Sequence, residues 1–222
     1  MLLDALGTLV ELEPPAPRLR DQLVHRFGLS VSEAAAQRAI EAEMSYYRAH
    51  FDEGRDQPSL QDLRRRCAQE LWRELSRDAP APEPSALVDV LMSSLRFRAY
   101  GDAPAALASL KDLGLVLVVV SNWDVSLPMV LERIGLIGRL DGVVTSAEVG
   151  ARKPDREIFE RALGIAGVSA EEAVHVGDSR RDDVEGARAA GIEAVLLNRG
   201  SSGSSDVLEI RSLSELPALV HY

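Results

Sequence analysis

Beyond residue 100 the chain alternates short apolar runs with helical segments, and this alternation constrains its fold more than any other feature. LVLVVV (115–120), GVVT (142–145), AVHV (173–176) and EAVLL (193–197) have strand length. LVLVVV is apolar at every position, as suits a strand covered on both faces. Between the runs lie SLPMVLERIGL, DREIFERALGIAG and DVEGARAAG, preceded by APAALASLKDLG, all with helical spacing. Strands that alternate with helices predict an α/β fold with a parallel sheet and right-handed crossovers.

The first nine residues, MLLDALGTL, must supply a further strand to that sheet. MLL reads as a buried strand, and Asp4 follows at once. Desolvating a carboxylate is unfavourable unless something pairs with it. An acid at the carboxyl end of a strand, followed by the turn residues Gly7 and Thr8, sits where open α/β sheets place their ligands. VELEPPAP then reads as an exit linker, and helical patterning takes over. PRLRDQLVHRFGL stops at Gly28, Ser32 is the expected N-cap of a second helix and Ser59 of a third, APAPEP is a second linker, and SALVDVLMSSLRF is a fourth helix. The expected organisation is a doubly wound, Rossmann-like core from residues 1–13 and 99–222, with an all-helical domain, 14–98, inserted after strand one.

If the strands are parallel, their polar ends share one edge of the sheet. Strand one brings Asp4 and Thr8; LVLVVV brings Ser121 and Asn122; the segment after GVVTS brings Lys153 in ARKPD; AVHVGD brings Asp178, with Asp182 and Asp183 close behind. Two carboxylates at neighbouring strand ends repel unless a cation lies between them, and all-oxygen ligands suit Mg2+. With an ammonium and a hydroxyl beside them, they form a plausible phosphoryl-transfer site for a small phosphorylated or otherwise anionic substrate. Lysine occurs only at 111 and 153 in an arginine-rich chain, which sharpens attention on Lys153. The formal net charge of −10 argues against a nucleic-acid partner. One cysteine, Cys67, excludes an intrachain disulfide. No apolar run is long enough to span a membrane and no signal peptide is visible, so a cytoplasmic location is expected.

DALGTL, VVVSN, the lysine of ARKPD and GDSRRDDVEGARAAG resemble, in order, the four motifs of the haloacid dehalogenase-like hydrolase superfamily, and the helical insert falls where that family carries its cap. VVVSNWD and LDGVVTSAEVGARKPDREIF further resemble the subgroup named after the rhythmically expressed gene two product. The resemblance implies that Asp4 is a nucleophile forming an aspartyl-phosphate, that Ser121 binds a phosphoryl oxygen, and that Lys153 pairs with the nucleophile and the transferring group. It implies a Mg2+ site from Asp4, the backbone carbonyl at Leu6, Asp178 and Asp183. Thr8 reads as a turn residue, Asn122 as an orienting residue, Asp182 as a surface or helix-start acid, and His175 as a packed or satisfied imidazole.

One position departs from the family's phosphatase pattern. The second aspartate, two residues after the nucleophile and acting there as general acid and base, is Leu6 here. Metal-independent 2-haloacid dehalogenases also lack that aspartate, so a dehalogenase is an alternative. A catalytically silent binding protein is another.

Overall fold

The computed structural model describes residues 1–75, 81–200 and 207–219. The SSGSS loop and the first two residues of the APAPEP linker lie outside them. The chain forms two compact units, Met1–Glu11 with Arg98–Tyr222, and Leu12–Phe97.

The first unit is built on a parallel sheet of six strands. In chain order these are β1 (Leu2–Leu3), β4 (Val118–Ser121), β5 (Gly142–Thr145), β6 (Val174–Gly177), β7 (Glu193–Leu197) and β8 (Leu208–Ile210); β2 (Val10–Leu12) and β3 (Phe97–Ala99) pair separately. The spatial order is β5-β4-β1-β6-β7-β8. β1 therefore lies between β4, with Leu2 opposite Val118, and β6, with Leu2 opposite His175. The connection from β5 to β6 crosses from one side of β1 to the other. The end of β1 thus lies at the reversal point of the sheet, where such folds open a crevice.

Side-chain alternation explains why the strands read as solidly apolar. Leu2, Val118 and Val120 pack with Ile158 and Phe159 of α8 (Arg156–Ala166) on one face. Leu3 and Val119 point to the opposite face and are equally buried. The remaining helices of this unit are α5 (Ala103–Asp112), α6 (Leu127–Arg133), α7 (Ser146–Val149), α9 (Gly186–Ala189) and α10 (Leu216–Leu219). Asp124 accepts a 2.7 Å bond from the Ser126 N–H at the start of α6. DVEGARAAG is not one regular helix: Arg180–Glu185 forms a π-helical turn before α9.

The second unit contains α1 (Pro15–Phe27), α2 (Glu33–His50), α3 (Gln57–Leu75) and α4 (Pro84–Ser94), packed around residues such as Leu23, Ile40, Leu63, Leu71 and Leu91. Ser32 caps α2 by accepting the Ala35 N–H. Ser59 does not cap α3. The helix begins two residues earlier, and Asp56 accepts the Ser59 N–H at 2.9 Å. VELEPPAP is also not simply a linker, because its first three residues are β2; β3 begins at Phe97, inside the segment read as helical. Strands of three residues are too short for periodicity to reveal. No described helix is long and apolar enough to cross a membrane.

Glu43 is an exception inside this unit. Positions 36, 39, 40 and 43 form the buried face of α2, so the last of them carries a carboxyl into the core. Burial pushes it up to about 7, against a hydrogen bond with the Cys67 side chain that pulls the other way. A raised carboxyl favours the protonated folded state, so its contribution is present at low pH and is lost as pH rises from the ordinary glutamate range through about 7. Glu43→Gln should therefore match the native protein in urea unfolding at pH 5 and exceed it by about 3 kcal/mol at pH 8.5. An equal difference at both pH values would rule out this account.

Candidate active site

The site begins where β1 ends. The Asp4 N–H donates to the Val176 carbonyl at 2.9 Å, extending the ladder by one residue and fixing the carboxylate at the sheet edge. The chain then folds back tightly. The Ala5 carbonyl accepts the N–H groups of Thr8, Leu9 and Val10, and the Gly7 N–H donates to the Val10 carbonyl at 2.8 Å. Gly7 has φ +90°, a conformation natural to glycine. A Cβ there would lie 2.1 Å from Oδ2 of Asp178, so glycine also lets that carboxylate lean over the turn.

Lys153 joins the acids. Its Nζ donates at 2.6 Å to Oδ1 of Asp4 and at 2.6 Å to Oδ1 of Asp183. It is buried, as are both partners. Ser121 donates its hydroxyl to the same Asp4 oxygen at 3.2 Å. Asn122 grips Lys153 by the backbone: its Oδ1 accepts the Lys153 N–H at 2.7 Å and its Nδ2 donates to the Lys153 carbonyl at 3.0 Å. A neutral amide thus fixes the backbone from which the charged side chain starts.

Asp183 is held on both oxygens. Oδ1 accepts Lys153 and Nε2 of His175 (2.9 Å), and Oδ2 accepts the Ser179 N–H (2.9 Å). His175 is fully buried and stands edge-on to Phe159; its Nε2 meets Asp183, while its Nδ1 has no hydrogen-bond partner among the described residues. A Cβ on Gly177 would fall 2.1 Å from Cγ of Asp183, so this approach also requires glycine.

The electrostatics follow from burial. Burial, followed by crowding from Asp183 and Asp178, pushes Asp4 up to about 6, although Lys153 pulls it down. Burial works against the Lys153 ammonium, yet Asp183 and Asp4 hold it charged. Burial also works against ionised Asp183, but Lys153 and His175 keep it well below the usual carboxylate range. Asp178 is raised by partial burial and by Asp183. Oxygens of Asp4, Asp178 and Asp183 lie within 4.8 Å of one another. Three carboxylates facing one ammonium leave an excess of negative charge. The donor set is all oxygen and Asp178 opens to solvent, so the residues fit a hard divalent cation.

The structure brings Asp4, Ser121, Asn122, Lys153, Asp178 and Asp183 together. Thr8 is different: its hydroxyl is buried with no hydrogen-bond partner among the described residues. Its carbonyl belongs to a clamp that no motif announces. Arg199, just past β7, donates from Nη2 to the Thr8 carbonyl at 3.0 Å and forms a two-point pair with Asp102, both bonds 3.0 Å. Its guanidinium lies 3.9 Å over the Tyr100 ring. The available signal was topological, because Arg199 leaves the same sheet edge as the other site residues.

Comparison with known proteins gives a consistent picture. A family model described as haloacid dehalogenase-like hydrolase matches residues 1–191. "Haloacid dehalogenase-like hydrolase domain-containing protein 3" of Danio rerio is 35% identical over 168 residues, 68% of this chain and 69% of the relative. A phosphoserine phosphatase of Thermus thermophilus is 42% identical over 106 residues, 47% of this chain and 43% of that one. Among solved structures, a 2-haloacid dehalogenase from Pseudomonas syringae superposes with a TM-score of 0.67 at 25% identity, covering 99% of this chain and 97% of its own.

Proposed function

The chain belongs to the haloacid dehalogenase-like hydrolase family, and from that premise we propose that it is a Mg2+-dependent phosphatase acting through an aspartyl-phosphate on Asp4. The observation that carries this reading is the cluster of Asp4, Asp178 and Asp183 around Lys153. Asp4 attacks phosphorus. Ser121 and Lys153, already aimed at its carboxylate, hold the oxygens of the transferring group. Asn122 keeps Lys153 in place, and Thr8 is a structural residue of the turn. Asp4, Asp178, Asp183 and the Leu6 carbonyl are the groups that would hold Mg2+, which supplies charge neutralisation for the phosphoryl oxygens. The substrate is a small phosphorylated molecule, and the helical unit is the family's cap, the part that selects it.

Leu6 favours a second reading, metal-independent dehalogenation, because a carbon–halogen substrate needs no proton donor for its leaving halide. Asp178 weighs against that reading. A second carboxylate turned toward Asp4 across Gly7 has no use in a metal-free site, where it would only oppose ionisation of the nucleophile.

The test compares 4-nitrophenyl phosphate with glycerol phosphate, with and without Mg2+. Turnover of the aryl ester should require Mg2+, and the alkyl ester should be slower by about 10²–10⁴-fold for want of a proton donor. Leu6→Asp should narrow that gap. Halide release from 2-chloropropionate without metal, together with no Mg2+-dependent phosphate release, would replace this reading with the second.

A further inference from the structure

A phosphatase of this type works in two steps with different proton requirements. In the first, an Asp4 oxygen bonds to phosphorus and the bond from phosphorus to the leaving oxygen breaks. The leaving oxygen keeps the electron pair. If it departs as a carboxylate, enolate or phenolate, it needs no proton. In the second step a water oxygen bonds to phosphorus, the bond to Asp4 breaks and the aspartate carboxylate is regained. That water must give up a proton, which passes to bulk water when no side chain receives it. The first step can therefore dispense with an acid when the donor is well chosen, whereas the second has no comparable escape.

Among the described residues of the α/β unit, those around Asp4 offer no free receiver for that proton. Leu6 stands two positions on, in a turn whose backbone bridges Val10, and its side chain is 37% exposed with nothing to titrate. Lys153 spans Asp4 and Asp183 with its ammonium. Both Asp183 oxygens already accept hydrogen bonds, from Lys153 and His175 on one and the Ser179 N–H on the other. His175 lies behind Asp183, fully buried. The Thr8 hydroxyl is buried in the turn. Asp178 remains, and under the proposed function it would be a ligand of the cation. Among the described residues of the α/β unit, then, Lys153 and Asp183 are bonded elsewhere, and Asp178 would be taken up by the cation.

We propose that phosphorylation of Asp4 outruns its hydrolysis in this chain, so that phospho-Asp4 accumulates, with acyl, enol or aryl phosphates as donors. The proposal rests on the reading of Asp4 as nucleophile. The missing base removes a factor of about 10²–10⁴ from the hydrolytic step. With a good donor the phosphorylated protein becomes the main species during turnover.

The full chain is mixed with acetyl phosphate and Mg2+, quenched in acid at intervals and weighed intact. Most chains should gain the mass of one phosphoryl group, with Asp4→Asn gaining none. With 4-nitrophenyl phosphate, a burst of nitrophenol close to one per chain should precede a slow steady rate. In Leu6→Asp the phosphorylated fraction should fall at least tenfold while phosphate release rises. If that variant does not fold, the burst of the native chain still decides. Steady Mg2+-dependent phosphate release with neither adduct nor burst would overturn the proposal and leave Asp4 as nucleophile standing. No adduct and no release, or an adduct that persists in Asp4→Asn, would overturn the reading of Asp4 itself.

Discussion

Lys153→Met is expected to abolish phosphate release and to lower stability by about 3–5 kcal/mol at pH 8. Lys153 is the sole cation bonded directly to both Asp4 and Asp183 among the described residues, and all three side chains are almost fully out of water. Removing it leaves two buried carboxylates facing each other with Asp178 close by. The loss should depend on pH in a definite direction. In the native protein Asp183 is held below the usual carboxylate range, so its contribution is present above the ordinary aspartate value and fades as pH falls. The variant lacks that contribution and instead penalises ionisation. Its deficit should be largest at pH 8 and shrink toward pH 4–5, where the stranded carboxyls take up protons. Urea unfolding of both proteins across this range measures it. A deficit independent of pH would mean that the lysine acts through packing of its chain rather than its charge.

Gly7→Ala is the second large effect, and it separates geometry from charge. The added methyl would stand 2.1 Å from Oδ2, 2.5 Å from Cγ and 2.9 Å from Oδ1 of Asp178. The whole carboxylate must move, and the backbone must hold φ +90° with a side chain attached, at about 1–2 kcal/mol. Displacing a site acid by an ångström is worth about 10²-fold in rate. Phosphate release should fall at least that far, with weaker apparent affinity for Mg2+, while stability drops by only about 1–3 kcal/mol. A variant with native activity would remove Asp178 from the site.

The legible part of this molecule was the part governed by spacing along the chain. Apolar runs gave the strands, and a carboxylate directly after one of them gave Asp4. The rule that parallel strands end on one edge then brought Ser121, Lys153 and Asp178 toward it. Asn122 was legible as a residue of that edge, though its two-point hold on the Lys153 backbone was not. Features set by tertiary contact left no such trace. Arg199 reaches Thr8 across 191 positions, and nothing near either residue encodes the meeting. Glu43 occupies a helical position at which its neighbours are apolar, and sequence periodicity does not say which acid the fold will bury. Ser59 and Asp56 both suit a helix start, and the choice fell to the residue whose carboxylate reaches a free N–H three positions on. β2 and β3 were missed because three residues do not make a period.

The sheet order also sets a timetable. β1 is made long before its partners, which are β4, beginning at Val118, and β6, beginning at Val174. As the chain leaves the ribosome, the helical unit, complete by Phe97, has all its local contacts available while β1 still waits for both neighbours. Asp4 gains Lys153 only after residue 153 is made, and Lys153 gains Asp183 thirty residues later still. No chain interrupted before that point holds a complete set of reactive groups. The charged contacts around Asp4 are therefore complete only once Asp183 has been made.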